Sequence, residues 1–258
     1  MSKVQLKNVS MNYHTLNGET PALTNINLSV NSGEFISIVG PSGCGKSTLL
    51  NIIAGIIKPS EGQVLVDKES ISGYSPKLGY MFQRDHLFEW LNVWENICLG
   101  LKIQKKLNDE NKHKIESLLK NYNLWSFRKH KPSELSGGMR QRAALIRTLA
   151  LDPEVLLLDE PFSALDFQTR LTVCDEIYKI IKKENKTVIM VTHDISEAIS
   201  TSSRIIILSK RPAKIKQDLE ITFSSEYDSP LKRREAPEFR IYFNNIWKEL
   251  DVNDDDKQ

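Results

Sequence analysis

A nine-residue loop near the N-terminus has the residue types and spacing of a polyphosphate site. Residues 40–48 read G-P-S-G-C-G-K-S-T, which matches the pattern G-x-x-x-x-G-K-[ST]. Glycines let such a backbone turn its N–H groups toward an anion, and a helix N-terminus behind the loop adds positive potential. Lys46 is placed to reach the β- and γ-phosphates, and the Ser47 hydroxyl to bind Mg²⁺. The pattern predicts a nucleoside triphosphate site formed by Gly40, Pro41, Ser42, Gly43, Cys44, Gly45, Lys46, Ser47 and Thr48.

Two acidic residues end an apolar run further along the chain. Residues 155–158 are followed directly by Asp159 and Glu160, as expected of a buried parallel strand that delivers carboxylates to the edge of a sheet. We expect Asp159 to bind Mg²⁺ and Glu160 to polarise the attacking water. Alone, the run would indicate a core strand followed by a solvated turn. The phosphate loop favours the catalytic interpretation.

Residues on either side of the loop supply the strand and the helix that position it. Phe35 to Val39 is a short run rich in β-branched and aromatic residues, and Leu49 to Ala54 continues as an apolar helix. Strand, loop and helix therefore follow one another in the order that a phosphate-binding loop needs. A Gly-rich turn without a ligand is the alternative, and this order argues against it.

A third motif precedes a predicted helix that runs to about Leu149. Residues 135–142 read L-S-G-G-M-R-Q-R, and two glycines at a helix start can form an anion site. Along the chain the phosphate loop comes first, this motif second and the two carboxylates third. With these motifs, the chain resembles the ATP-binding subunits of ABC transporters over nearly its whole length. The resemblance implies that Ser136, Gly137 and Gly138 contact the γ-phosphate of an ATP held by a second copy. It also implies that hydrolysis requires a head-to-tail dimer around two MgATP.

The resemblance assigns roles to four further residues. Gln83 follows the strand-like residues 78–82 and corresponds to a glutamine that binds Mg²⁺ and senses the attacking water. Asp166 ends an S-A-L-D segment that crosses the dimer interface, and His193 corresponds to a histidine that contacts the γ-phosphate. Tyr13 stands where the family places an aromatic ring against adenine. Because stacking discriminates poorly between bases, both ATP and GTP remain open.

Composition and charge limit the class of protein. The chain has 258 residues, of which 40% are hydrophobic, enough for a sizeable core in one large domain or two small ones. Lys plus Arg number 35 against 33 Asp plus Glu, so the formal charge of +2 gives no general reason to expect nucleic acid as a partner. Three widely spaced cysteines form no C-x-x-C pair, which indicates a reducing compartment and no cysteine metal site.

Cys44 is a cysteine inside the phosphate loop. It stands two residues before Lys46 and next to a predicted helix N-terminus. A nearby cation and a helix start both favour the thiolate form. We therefore predict that its thiol is more reactive than usual and that bound nucleotide protects it.

The sequence contains no stretch that would span a membrane. The longest apolar runs, including residues 187–191 and 205–208, fall far short of the roughly 18 residues that a spanning helix needs. Residues 1–6 lack the apolar core of a secretion signal. Together with the resemblance, this predicts a peripheral protein on the cytoplasmic face of the cell membrane.

The order of the patterns predicts one α/β domain over residues 1–258, with a P-loop NTPase (RecA-like) core. The β-like segments before residue 80 suit an antiparallel β subdomain beside this core. Residues 84–135 carry helical patterns and suit an inserted α-helical subdomain. Residues 135 to about 210 alternate helix and strand, as in a parallel sheet wrapped by helices.

A C-terminal extension is predicted over residues 211–258. It carries a predicted helix from Pro237 to Leu250. The acidic residues 251–258 are predicted to form a frayed, solvated end. The patterns assign no role to this extension.

The resemblance names transmembrane permease subunits as partners, which would contact the helical insertion through a groove beside Gln83. An extracytoplasmic substrate-binding protein would be an indirect partner. Phe88, Trp90, Leu91 and Trp94 crowd one short stretch there. Such side chains either form a docking surface or pack the core of the subdomain, and the sequence leaves both open.

The leading hypothesis is an ATP-hydrolysing subunit of a binding-protein-dependent importer. Residues 230–235 and Met139 resemble the importer ATPases for nitrate, sulfonates and taurine. This group includes systems for thiamine-precursor pyrimidines. Glu89 departs from the group's pattern, because proline is expected at that position. A non-transport ABC ATPase acting on nucleic acid or ribosomes is the alternative, although neither an internal repeat nor a long heptad pattern is present. A kinase would leave residues 136–142 without a role. Solute and transport direction stay open.

Overall fold

The computed structural model describes residues 2–15 and 18–251, which form two β-sheets and a set of helices. The strands are β1 (Ser2–Thr15), β2 (Gly18–Asn31), β3 (Phe35–Val39), β4 (Glu61–Val66), β5 (Glu69–Ser70), β6 (Leu78–Met81), β7 (Val155–Asp159), β8 (Thr187–Val191), β9 (Arg204–Leu208) and β10 (Ile215–Glu220). The α-helices are α1 (Lys46–Ile53), α2 (Val93–Ile103), α3 (Asp109–Asn121), α4 (Gly137–Leu149), α5 (Phe167–Lys183), α6 (Ile195–Thr201), α7 (Pro230–Arg233) and α8 (Pro237–Asp251). No helix in the described part of the chain is both long and apolar enough to cross a membrane.

The smaller sheet is antiparallel, with the strand order β2-β1-β4-β5. Side chains of β2 alternate, so that Ile26, Leu28 and Val30 are buried and the residues between them face solvent. The buried side chains share one apolar cluster with Ile36 and Ile38 of β3 and with α1. The antiparallel sheet therefore lies against the strand and helix that flank the phosphate loop, as the sequence predicts.

The larger sheet brings the predicted chemistry to one edge. Its strand order is β10-β9-β3-β8-β7-β6, and all neighbours are parallel except β10, which runs antiparallel to β9. Alternate side chains of β7 and β8 enter two different apolar clusters, one on each face, so these strands are buried runs. Because β8 lies between β3 and β7, their carboxyl ends are side by side. The phosphate loop, Asp159, Glu160 and His193 follow these three ends.

The predicted helical insertion packs against α4. The Asn92 side chain accepts a hydrogen bond from the Glu95 N–H, and the Glu95 carboxylate accepts one from the Asn92 N–H, so a capping box begins α2. Ile115 of α3 and Leu145 of α4 are fully buried in the same cluster. The insertion and α4 thus share a core, and the subdomain boundary at residues 84–135 stays a prediction.

The four crowded apolar residues near the start of α2 divide between core and surface. Trp94 is partly buried, and its ring centre lies 6.3 Å from that of Trp125. Trp90 is 72% exposed, and its ring centre lies 4.8 Å from that of Phe88. Leu91 is partly buried. Core packing accounts for Trp94, and the contacting pair Phe88 and Trp90 lies at the surface.

The residues after position 211 complete the larger sheet. β10 pairs with β9, and α8 packs on α6 and β9, where Ile246 is fully buried beside Ile199. The helix predicted from Pro237 to Leu250 is present as α8. The predicted frayed end, apart from residue 251, lies outside the described residues.

Candidate functional site

The phosphate loop links β3 to α1 and surrounds the Lys46 side chain. Lys46 is 6% exposed, and its Nζ donates hydrogen bonds to the carbonyls of Gly40 at 2.8 Å and Pro41 at 2.9 Å. Gly45 has a φ of +121°, and a Cβ there would lie 2.9 Å from Leu23 Cδ2. Only glycine combines that conformation with so little space. The loop is therefore shaped by β2 and holds the ammonium inside it.

The outer part of the loop is open to solvent. Ser42 and Gly43 are exposed, and Gly43 has a φ of +72°. Ser47 and Thr48 lie in the first turn of α1, with Ser47 exposed and Thr48 partly buried. The exposed turn and the helix start therefore face the same side, where a polyphosphate could bind.

Tyr13 lies beside the first turn of α1. Its hydroxyl is 3.1 Å from Thr48 Oγ1, and the Arg211 guanidinium lies 6.0 Å from the centre of its ring. Arg211 also donates a hydrogen bond to the Pro21 carbonyl at 3.0 Å. The predicted aromatic residue is thus next to the phosphate loop. Arg211 is a neighbour that the sequence analysis missed.

The prediction of a reactive thiol at Cys44 is wrong. Cys44 is 2% exposed, and burial raises the pKa of its thiol. The nearby charge of Lys46 and backbone hydrogen bonds lower that pKa only in part. The spacing correctly placed a cation near the cysteine. It could not show that the loop turns Sγ away from solvent, toward Gly40, where a Cβ would lie 2.9 Å from it.

Asp159 pairs with Ser47 at the carboxyl end of β7. Ser47 Oγ donates a hydrogen bond to Asp159 Oδ1 at 3.0 Å. The Tyr80 hydroxyl lies 3.2 Å from Asp159 Oδ2 and 2.9 Å from Asn51 Oδ1, so it can donate to either. Burial raises the pKa of Asp159, and the hydrogen bonds from Ser47 and Tyr80 lower it in part. No sequence motif identifies Tyr80 or Asn51, although Tyr80 stands three residues before Gln83.

The oxygen atoms at this position fit a hard divalent cation. A hydroxyl and a carboxylate oxygen 3.0 Å apart are ligands of the kind that Mg²⁺ prefers. Burial disfavours the ionised form of Asp159, so a cation beside the carboxylate would stabilise it. The residues present, Ser47 and Asp159, therefore suit Mg²⁺.

The Glu160 carboxylate joins Gln83 and His193. Glu160 Oε2 lies 3.0 Å from His193 Nδ1 and accepts a hydrogen bond from Gln83 Nε2 at 3.2 Å. Gln83 Nε2 also donates to Ser163 Oγ at 3.3 Å, and the Ser163 hydroxyl donates to the Glu160 carbonyl at 3.0 Å. Residues separated by 77 and 33 positions along the chain thus converge on one carboxylate.

Backbone geometry positions Glu160 between two strands. Its φ is +44°, in the left-handed region that residues other than glycine rarely adopt. Its N–H donates a hydrogen bond to the Val191 carbonyl at 2.8 Å, which links the turn after β7 to the end of β8. The Glu160 side chain is 19% exposed. A strained residue held this way at a sheet edge indicates a functional constraint.

Ser136 and Asp166 begin helices and lie apart from the phosphate loop. Ser136 Oγ accepts a hydrogen bond from the Met139 N–H at 3.3 Å, and Asp166 Oδ1 accepts one from the Thr169 N–H at 3.1 Å. Within residues 2–15 and 18–251, neither side chain forms a hydrogen bond or ion pair with residues 40–48. Both side chains therefore serve as helix caps here, and their roles toward nucleotide stay predictions, as do those of Gly137 and Gly138.

Arg170 connects two segments that border the site. Its Nη2 donates a hydrogen bond to the Leu165 carbonyl at 3.1 Å. Its Nη1 lies 3.3 Å from Asp194 Oδ2, and its Nε lies 3.9 Å from Glu197 Oε1. Leu165 belongs to the S-A-L-D segment, and Asp194 directly follows His193. One guanidinium therefore links the S-A-L-D segment to the segment that carries the histidine.

Glu197 is an acidic residue buried beneath the His193 segment. It is 2% exposed, and Thr192 Oγ1 donates a hydrogen bond to its Oε2 at 2.7 Å. Burial raises the pKa of Glu197 to about 7, although the hydrogen bond from Thr192 opposes this shift. The sequence analysis missed Glu197. Its signal was a helix-start pattern, since Asp194 caps α6 and Glu197 follows three residues later.

Replacing Glu197 with Gln is expected to change how stability depends on pH. The folded-state pKa is about 7 instead of 4.5, so near pH 6 the folded protein retains a proton that the unfolded chain has lost. Stability that is fully present below about pH 4.5 is therefore lost as the pH rises through about 7, by at most about 3 kcal/mol. Urea unfolding near pH 5 and near pH 8 should show E197Q gaining stability relative to wild type at the higher pH. An identical difference at both values would contradict the raised pKa.

An apolar groove of about 500 Å³ lies between the turn after α1 and helix α2. Large apolar side chains line it and remain exposed: Ile56 is 57%, Tyr74 75% and Ile103 74% exposed. Phe82, which directly precedes Gln83, also lines the groove. Contiguous exposed apolar surface of this kind marks interaction sites. The groove thus adjoins the segment that carries Gln83.

The chain is similar to known proteins in both sequence and fold. A family model described as "ABC transporter" matches residues 23–163. The chain is 46% identical over 250 residues to the uncharacterized ABC transporter ATP-binding protein YtlC of Bacillus subtilis. That alignment covers 97% of this chain and 96% of that protein. It is 44% identical over 217 residues to the aliphatic sulfonates import ATP-binding protein SsuB of Bacillus cereus. That alignment covers 84% of this chain and 85% of that protein. The dimeric post-hydrolysis ATP-binding cassette MJ0796, bound to ADP and Pi, matches with a TM-score of 0.72 and 36% identity, covering 85% of this chain and 99% of that one.

Proposed function

The chain belongs to the ABC transporter family of ATP-binding proteins, and on that basis we propose that it is the ATPase subunit of a binding-protein-dependent importer. The similarity to an aliphatic sulfonates import protein supports a small solute of the sulfonate, taurine or nitrate type. Thiamine-precursor pyrimidines are the further candidates. The solute would be recognised by the other subunits, because nothing in an ATPase of this kind touches it.

The convergence of Gln83 and His193 on the Glu160 carboxylate carries the catalytic part of the proposal. Glu160 accepts the proton of the attacking water, and His193 holds that carboxylate while its ring faces the γ-phosphate. Lys46 balances charge on the β- and γ-phosphates from inside the loop. Ser47, Asp159 and Gln83 would hold Mg²⁺, which supplies electrostatic stabilisation of the phosphates when bound.

Two copies of the chain form the working ATPase. The start of α4, with Ser136, Gly137 and Gly138, offers a helix N-terminus that can bind an anion. In the proposed dimer it contacts the γ-phosphate held by Lys46 of the second copy, and Asp166 lies at the interface. The similarity to a dimeric cassette bound to ADP and Pi supports this arrangement.

The apolar groove beside Gln83 is the proposed docking site for a permease subunit. A short amphipathic helix of the permease would place its apolar side against Phe82 and Ile103. Gln83 would then couple docking to the site, since its amide contacts Glu160. Permease binding would hold the subunit at the cytoplasmic face of the membrane, and an extracytoplasmic binding protein would deliver the solute.

Co-purification from native membranes tests the transport function. We expect the tagged chain, extracted in mild detergent, to bring a multi-spanning membrane protein with it in about equal amount. Ile103→Glu, which puts a charge on the groove, should reduce that recovery by about 10-fold or more. Ile241→Glu is the matched control, because Ile241 is similarly exposed, 69% against 74%, but lies on α8. Recovery of ribosomal or nucleic-acid components without a membrane protein would favour a non-transport ATPase instead.

A further inference from the structure

Helix α8 brings a second apolar surface to the phosphate loop. A cavity of about 360 Å³ is lined on one side by Gly40 and Ser42 of the loop and by His193. Trp247 and Leu250 of α8 line its other side. Part of the C-terminal segment, to which the sequence patterns assigned no role, therefore borders the nucleotide edge.

The C-terminal part of α8 packs against α6. Ile246 is fully buried in a cluster that includes Ile195, the first residue of α6. The rings of Phe243 and Trp247 are stacked, with centroids 6.1 Å apart and an interplanar angle of 14°. A helix, and not a loop, thus presents Trp247 to the cavity.

Two large aromatic side chains remain exposed, one on the cavity beside the phosphate loop and one directly after the S-A-L-D segment. Trp247 is 53% exposed. Phe167 is 67% exposed and begins α5, directly after Asp166. Exposed aromatic residues at the border of a polar site are typical of protein interfaces, where Trp often carries a large share of the binding energy.

We propose that a second copy of this chain covers Trp247 and Phe167, which form the apolar border of the ATP-dependent dimer. The inference rests on the proposed function, which puts the start of α4 of a second copy against a γ-phosphate held by Lys46. The loop residues and His193 that surround this phosphate line the same cavity as Trp247. The surface that the second copy buries is therefore continuous with α8. In a two-fold symmetric dimer each contact occurs twice, so four aromatic side chains contribute.

The test measures dimerisation in the Glu160→Gln background, where hydrolysis does not deplete ATP. Analytical ultracentrifugation with saturating MgATP gives the dimer dissociation constant of E160Q alone and with Trp247→Ala or Phe167→Ala. We expect each second substitution to weaken dimerisation by about 10-fold or more. Ile241→Ala is the matched control on α8, since it removes a side chain that is 69% exposed, and dimerisation should be unchanged.

Two outcomes separate this inference from the proposed function. Unchanged dimerisation in both E160Q/W247A and E160Q/F167A overturns the inference and leaves the proposed function intact. An E160Q protein that stays monomeric at saturating MgATP overturns the dimer, and the inference falls with it. If W247A also lowers thermal stability, F167A on the separate helix α5 decides the result. Affinity of the monomer for a fluorescent ATP analogue should be unaltered in both, because neither ring belongs to the phosphate loop.

Discussion

Replacing Glu160 with Gln is expected to lower kcat by about 100-fold or more while leaving ATP binding intact. The amide cannot accept the proton of the attacking water. It keeps the shape of the side chain and can still form hydrogen bonds with Gln83 and His193. Because the bound ATP is not consumed, the dimer should persist and be visible by size-exclusion chromatography in MgATP. Phosphate release measures the loss of turnover.

Ser136→Ala is the companion variant that distinguishes the copy that binds ATP from the copy that completes the site. It removes the hydroxyl that caps α4, and we expect normal ATP affinity in the monomer but impaired turnover. Wild-type phosphate release from E160Q would exclude Glu160 as the catalytic base. An E160Q protein that remained monomeric at saturating MgATP would contradict the two-copy arrangement.

Replacing Lys46 with Ala should weaken ATP binding itself, by about 10- to 100-fold, because hydrogen bonds to charged groups contribute about 1.5–3 kcal/mol. The Lys46 ammonium is the charged group inside the loop, 2.8 Å from the Gly40 carbonyl and 2.9 Å from the Pro41 carbonyl. Its loss removes positive charge from the place where the phosphates bind. Isothermal titration calorimetry with MgATP measures the change in Kd.

Lys58→Ala controls for the change in net charge. Lys58 is exposed and lies a few residues after α1, so this variant should bind ATP normally. Circular dichroism must show that K46A is folded, because its substitution leaves two loop carbonyls without their donor. Equal ATP affinity in K46A and K58A would remove Lys46 from the phosphate site.

The catalytic edge could be predicted because each motif follows a strongly apolar run. Such runs become parallel strands, and parallel strands bring their carboxyl ends to the same edge. Lys46, Asp159, Glu160 and His193 can therefore be assigned to one sheet edge from the sequence alone. Chemistry requires these residue types in a recognisable order, so local sequence is enough to find them.

The supporting residues could not be predicted, because their partners are set by strand register and helix packing. Tyr80 reaches Asp159 across 79 positions of the chain. Arg170 reaches Asp194 and Glu197 only because α5 and α6 lie side by side. The side-chain direction of Cys44 is likewise a property of the folded loop. None of these contacts has a periodicity or spacing that identifies it in advance.

The strand β10 shows why the sequence patterns predict only an extension for the C-terminal segment. Its sequence, I-K-Q-D-L-E, is mostly polar, and only Ile215, Gln217 and Leu219 turn partly inward. An edge strand needs just one neighbour and tolerates polar residues. Its pairing with β9 is therefore visible in the structure and weak as a sequence signal.

The late position of β10 and α8 in the chain affects how the protein is made. Every residue of the catalytic edge is translated before these two elements. Until they emerge, β9 offers an unpaired edge, and the apolar surface that Ile246 covers is open. Nascent chains with such features recruit chaperones or aggregate. Only when β10 and α8 have left the ribosome can the chain pair β9 on both sides and cover this apolar surface.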